Sequence, residues 1–307
     1  MAFKALEAAR ECPSAWEERL FQLPSWIPLG EFVDVGGLRT HVVVKGDGSP
    51  IILLHGFASY GYSWRHNIDA LAESHCVYAL DMPGFGLSDK PAKHDYSLSA
   101  QAGFVLAFMD AMHLDRVALA GNSMGGGVAL EFAVRFPERL SGLIIISSVG
   151  LRPDRLPRWI RKMAAQLVKG GSLSGLFVPG PKRLRWIMEY LYHDPSKIET
   201  QDIKAFLLPM QTSEFRQALC AMIETLHLEL ADVDRIEMIK IPTLVLWGQE
   251  DRVLSPAHAF QFSSVLQNSQ MKIISNAGHA LIQEQPRIVN EQMVQFLKQI
   301  DSQASQR

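Results

Sequence analysis

Short apolar runs recur along this chain, separated by longer stretches of helical character. The runs are His41–Val44, Ile51–Leu54, Cys76–Leu80, Val117–Ala120, Leu143–Ile146, Thr243–Trp247 and Lys272–Ile274. From Ile51 onward they are nearly all apolar and lack alternation, the pattern of parallel strands buried on both faces. Ahead of them, Phe32–Val35, the Gly36-Gly37 pair and the run to Val44 predict a hairpin. Between the runs, Ser99–Met112 places Phe104, Val105, Phe108, Met109 and Met112 on one side of a helix. Strands alternating with helices predict a parallel sheet covered by helices.

One interval breaks this rhythm. From about Leu151 to Lys240 no strand pattern occurs, and Pro153, Pro157, Gly170-Gly171, Pro179, Gly180 and Pro181 punctuate what reads as several short helices. The expected organisation is an N-terminal extension over residues 1–30, a sheet domain over 31–150 and 241–307, and a helical cap inserted over 151–240. The cap is uneven in charge. Residues 151–186 hold nine Lys or Arg against one acid, Asp154, whereas residues 187–240 hold five against ten. Leu156, Ile160, Met163 and Leu167 recur at helical spacing in the basic part, with Arg155, Arg158, Arg161, Lys162 and Lys169 mostly opposite. A helix on a membrane surface would show the same pattern, but a cap helix with its apolar face over a pocket is the favoured reading.

Composition narrows the picture. Hydrophobic residues make up 48%, enough for a sizeable core. The balance of 30 basic against 32 acidic residues points to no nucleic-acid partner. Cys12, Cys76 and Cys220 are too few and too scattered for a disulfide framework or a metal cluster, so a reduced, cytoplasmic setting is expected. Charges at Glu7, Arg10, Glu11, Glu17, Glu18 and Arg19 interrupt any signal-like apolar stretch, and no run is long enough to cross a bilayer.

Four motifs carry candidate chemistry, each placed just after an expected strand. Gly121-Asn122-Ser123-Met124-Gly125 follows Val117–Ala120 and opens a helix. A sharp strand-to-helix turn there would lift the Ser123 hydroxyl out of the sheet's end, and the small residues two positions either side would permit it. His55-Gly56-Phe57 follows Ile51–Leu54 and can aim a backbone N–H at that hydroxyl; the N–H groups of Phe57 and Met124 are the expected oxyanion hole. His55 itself reads as a turn-stabilising residue. Gly248-Gln249-Glu250-Asp251 and Gly278-His279 supply an acid and a base at the same sheet edge. A serine hydroxyl needs a base to take its proton, and the base needs a carboxylate to fix its tautomer. Asp251 ranks ahead of Glu250 as that carboxylate.

The order Ser123…Asp251…His279, with the loop Asp81-Met82-Pro83-Gly84-Phe85-Gly86-Leu87-Ser88, resembles the α/β-hydrolase family from about Glu31 to Leu297. The resemblance implies a mostly parallel eight-stranded sheet with helices on both faces and an inserted helical cap. It implies catalytic Ser123, Asp251 and His279, with no metal or cofactor, and a structural role for the Asp81 loop. Ser123 stands where haloalkane dehalogenases and epoxide hydrolases of this fold carry Asp. The turn is similar to that of monoacylglycerol-type lipases and esterases, and of enzymes that cleave carbon–carbon bonds in ring-fission products. The latter usually carry a Gly-rich stretch where this chain has Phe57-Ala58-Ser59-Tyr60-Gly61, and a Trp near the catalytic His where this chain has Ala280-Leu281-Ile282. Trp159, Phe177, Trp186, Phe206, Leu207 and Met210 offer the cap an apolar lining. The expected partner is therefore a small ester with an apolar acyl or aryl group, lipid-like monoesters included. Carbon–carbon hydrolysis of ring-fission dienoates and a slow-turnover small-molecule receptor are the alternatives.

Overall fold

The computed structural model describes residues 30–151, 179–225 and 233–304. In chain order the elements are β1 (Glu31–Val35), β2 (Leu38–Lys45), β3 (Ser49–Leu54), α1 (Ile68–Ala72), β4 (His75–Leu80), α2 (Leu98–Ala111), β5 (Val117–Asn122), α3 (Met124–Arg135) and β6 (Leu140–Ile146). They continue with α4 (Pro181–Leu191), α5 (Thr200–Met210), α6 (Ser213–Thr225), α7 (Val233–Glu237), β7 (Thr243–Gly248), α8 (Ala257–Val265), β8 (Ser269–Ile274), α9 (Leu281–Glu284) and α10 (Pro286–Ala304). One eight-stranded sheet runs in the order β1-β2-β4-β3-β5-β6-β7-β8. The expected hairpin pairs β1 with β2 antiparallel, and β2 is antiparallel to β4. All other neighbours are parallel.

The missing alternation has a direct cause. Ile52, Leu54, Leu119 and Leu143 face a core shared with Phe104 and Phe108 of α2 and Val128 and Phe132 of α3. Their strand neighbours Ile51, Leu53, Ala118 and Ile144 face a second core shared with Val289, Met293 and Phe296 of α10. Both faces are apolar because both are covered by helices. The edge strand β8 departs from this rule: Gln270 and Lys272 are exposed and only Ile274 is buried, so the sequence signal caught just its last three residues. Similarly, β6 begins at Leu140, three residues before the apolar run.

Strands β6 and β7 are sheet neighbours, and everything described between them is helical. This is the inserted cap. Helix α4 buries Leu184 and Met188, and α5 begins with a capping box between Glu199 and Asp202. Phe206 and Leu207 pack with Tyr60, Tyr62 and Ala280 of the sheet domain. Met210, with Phe215, Leu219 and Met222 of α6, joins the core around Met82, Phe85 and Tyr96. Trp186 is 53% exposed and so lines no interior. Trp159, Phe177, the basic helix pattern and the N-terminal extension lie outside the described residues, so the expected domain limits rest on the sequence. No helix among the described residues is long and apolar enough to cross a membrane.

Candidate active site

Strand β5 delivers Ser123 to the carboxyl edge of the sheet in a strained conformation, φ 55° and ψ −115°. For a residue with a Cβ, such a backbone costs on the order of 1–3 kcal/mol. The surroundings hold it there. Ser123 N–H donates to Ile146 O at 2.9 Å, and Ser123 O accepts from Gly126 N at 3.0 Å and Val149 N at 3.2 Å. The turn is as tight as the glycines suggested. A Cβ on Gly121 would lie 2.1 Å from Gly125 O, and one on Gly125 would lie 2.5 Å from Leu54 O.

The hydroxyl raised by this turn meets an imidazole from the far end of the chain. Ser123 Oγ lies 3.0 Å from His279 Nε2, and His279 Nδ1 lies 2.9 Å from Asp251 Oδ2. An ionised Asp251 only accepts, so Nδ1 carries the proton and Nε2 is left to accept from Ser123. The second oxygen of Asp251 accepts from Val253 N at 2.8 Å and Leu254 N at 2.9 Å. Burial pushes the Asp251 carboxyl up, but His279 and the two amides outweigh it and hold it below the ordinary carboxylate value. Glu250, the second-ranked acid, is spent elsewhere: its Oε2 accepts from Ala277 N at 3.0 Å.

Of the expected oxyanion-hole residues, one lies next to Ser123 in sequence and the other on a loop beside it in space. Met124 is the first residue of α3, where amides have no intrahelical acceptor. Phe57 follows Gly56, at which a Cβ would stand 3.3 Å from that of Ser123, so this loop abuts Ser123. The Phe57 ring packs edge-on against Phe85, with centroids 5.8 Å apart. His55 is a structural residue. Its Nδ1–H donates to Gly56 O at 2.8 Å and its Nε2 accepts from Met82 N at 3.0 Å. Burial lowers its pKa and keeps it neutral. The Asp81 loop is structural too: Asp81 accepts from Gly61 N at 2.6 Å, Leu87 N at 2.8 Å and His41 Nδ1 at 3.0 Å.

Two features escaped the sequence reading. His41 pairs with Asp81 because antiparallel β2 and β4 bring residues 42 and 80 together, a partnership that needs the sheet order. Glu284 is buried, five residues past His279, and its carboxylate binds three amides. An acid just after the apolar Ala280-Leu281-Ile282 run was the available signal.

Known proteins are similar to this chain in sequence and in fold. A family model described as the alpha/beta hydrolase fold matches residues 49–171. The chain is 28% identical over 267 residues to a 2-hydroxy-6-oxo-2,4-heptadienoate hydrolase of Pseudomonas putida, covering 84% of this chain and 92% of that one. It is 31% identical over 281 residues to the dihydrolipoyllysine-residue acetyltransferase component of an acetoin cleaving system, also of Pseudomonas putida, covering 88% and 70%. Among solved structures, a bacterial membrane phospholipase A superposes with a TM-score of 0.74 at 27% identity, covering 89% of this chain and 86% of that one. With the sheet order, the inserted cap and the Ser123–His279–Asp251 geometry, these similarities establish that the chain belongs to the α/β-hydrolase fold family.

Proposed function

We infer that the protein is a serine hydrolase that attacks a carbonyl carbon with Ser123, uses His279 as general base and Asp251 as its orienting acid, and forms an acyl-enzyme. The observation that carries this reading is the unbroken hydrogen-bond relay from Ser123 Oγ through His279 to Asp251. The amides of Phe57 and Met124 are the proposed oxyanion donors, together worth several kcal/mol in the transition state.

The bond placed first is a carbon–carbon bond beside a ketone, in a substrate of the dienoate class. The 28% identical relative, spanned over 92% of its length, supports this order, which reverses the ester-first expectation. Ser123 adds to the ketone as His279 takes its proton. The dienol part of the substrate shifts to its 2-oxo-3-ene tautomer, the 2-hydroxyl losing a proton as the carbon beside the ketone gains one. The carbon–carbon bond then breaks, and that carbon carries the electron pair through the alkene into the 2-oxo carbonyl and takes a proton from His279. Water, deprotonated by the same imidazole, releases the acid from Ser123. A carbon can leave only with such an electron sink, so a conjugated substrate is required. Ester cleavage is the second reading, favoured by the phospholipase similarity at 27% identity. It uses the same relay with an alcohol as leaving group.

The test compares kcat/KM for a 2-hydroxy-6-oxo-dienoate, followed by loss of its conjugated absorbance, with that for p-nitrophenyl esters of increasing chain length. Ser123→Ala is run beside wild type. A preference for the dienoate of about tenfold or more supports the first reading. The opposite preference moves the assignment to esters. Equal turnover by Ser123→Ala removes the nucleophile assignment, and no turnover of either class by wild type removes the proposed function.

A further inference from the structure

The loop that carries His279 does not stand alone; it is fastened to the end of cap helix α4. Gly278 lies flat against that end. A Cβ there would sit 2.5 Å from Leu191 O and 2.7 Å from His193 N, so only glycine fits before His279. The His279 amide itself donates to Leu191 O at 2.8 Å. Glu284 bridges the two sides. Its Oε1 accepts from His193 N at 2.8 Å and Asp194 N at 3.0 Å, and its Oε2 accepts from Gly278 N at 2.7 Å. Lys197 Nζ donates to the Glu284 backbone carbonyl at 2.6 Å. Neighbouring ties run the same way: Tyr192 donates to Gln283 Oε1 at 3.1 Å, and Tyr190 to the carbonyl of Arg252, beside Asp251, at 3.0 Å.

We propose that Glu284 is a positioning residue, whose carboxylate clamps the amide just ahead of His279 to the end of cap helix α4, so that the cap sets the orientation of the general base. A buried carboxylate offering separate oxygens to two segments suits this role, because each arm is directional and neither can be replaced by water. The consequence is that α4 is no free lid. A shift of α4 carries the Gly278 amide, and with it the imidazole, away from Ser123. Catalytic geometry is sensitive to such shifts; a displacement of about 1 Å can cost on the order of a hundredfold in rate.

This inference rests on His279 being the general base, and the test separates the two ideas. Glu284→Gln keeps an oxygen for the His193 and Asp194 amides but turns an NH2 toward the Gly278 N–H, which severs one arm. The expected result is a fall in kcat of roughly 10–100-fold with KM nearly unchanged. The rate of Ser123 labelling by a fluorophosphonate should fall in parallel. The downfield proton resonance of the His279–Asp251 hydrogen bond should weaken or broaden. A folded Glu284→Gln protein with wild-type kcat and an unaltered downfield resonance overturns the proposal, even if its melting temperature is lower. Should the variant fail to fold, hydrogen exchange in wild type decides. The Gly278, His193 and Asp194 amides should be protected with a common opening free energy, and fast exchange at Gly278 beside protected His193 overturns the clamp. Wild type that never reacts with the fluorophosphonate instead counts against the serine mechanism, while the exchange measurement still tests the clamp.

Discussion

Among the described residues, two His–Asp pairs with both side chains buried have nearly the same geometry, and only one of them meets a serine hydroxyl. His279 Nδ1 lies 2.9 Å from Asp251, and His41 Nδ1 lies 3.0 Å from Asp81. Each carboxylate also accepts two backbone amides, and each is held below its ordinary pKa against the upward push of burial. The difference lies at the far nitrogen. His279 Nε2 faces the Ser123 hydroxyl, whereas His41 Nε2 has no hydrogen-bond partner among the described residues and is covered by Gly30, where a Cβ would come within 2.3 Å. A His–Asp pair is thus not in itself a catalytic feature. In the proposed mechanism it becomes a general base because the loop that bears it points the second nitrogen at a hydroxyl.

The comparison breaks first at the histidines. His279→Ala should lower turnover by roughly 10^4–10^6-fold, measured on whichever substrate wild type turns over, and should also lower the melting temperature because buried Asp251 loses its partner. His41→Ala should leave kcat/KM within about threefold and instead cost about 3 kcal/mol of stability in urea unfolding, because Asp81 loses a buried partner. If His41→Ala abolishes turnover and stays folded, the two pairs are not separable in this way. The acids sharpen the same contrast. Asp251→Asn should reduce kcat by about 10^4-fold, since an amide lets the imidazole take the wrong tautomer. Asp81→Asn should act mainly on stability, loosening the Gly61 and Leu87 amides that shape the loop beside Phe57.

The two pairs also mark what was legible in the sequence. Ser123, Asp251 and His279 could be read because each follows an apolar strand signal, and parallel strands bring such positions to one edge whatever their separation in the chain. His41 and Asp81 could not be paired, because that contact depends on β2 lying antiparallel beside β4 rather than beside β3. What separates Asp251 from Glu250 is visible only in space: Asp251 lies against His279 Nδ1, whereas Glu250 accepts from the Ala277 amide. Glu284 was missed because its three partners come from the far end of a cap helix and from a loop, neither of which has a periodic signature. The apolar character of Phe206, Leu207 and Met210 was legible, but their use as a seam between cap and sheet domain was not.

The smallest expected effect tests whether the two pairs are alike electrostatically. A carboxyl whose folded pKa is depressed contributes stability that is complete above its unfolded value and is lost as pH falls through its folded value. Both Asp251 and Asp81 are of this kind. Stability of the wild type should therefore decline below about pH 4, where unfolded aspartates begin to take up protons before the folded ones do. Within that window each such group adds a slope of up to about 1.4 kcal/mol per pH unit. Asp81→Asn and Asp251→Asn should each flatten the acid limb by a similar amount, read from urea midpoints between pH 3 and 5. A flattening confined to Asp81→Asn would mean that the Asp251 carboxylate is stabilised no more in the folded chain than in the unfolded one. The pairing with His279 would then position the imidazole without stabilising the acid, and the likeness between the two pairs would be geometric only.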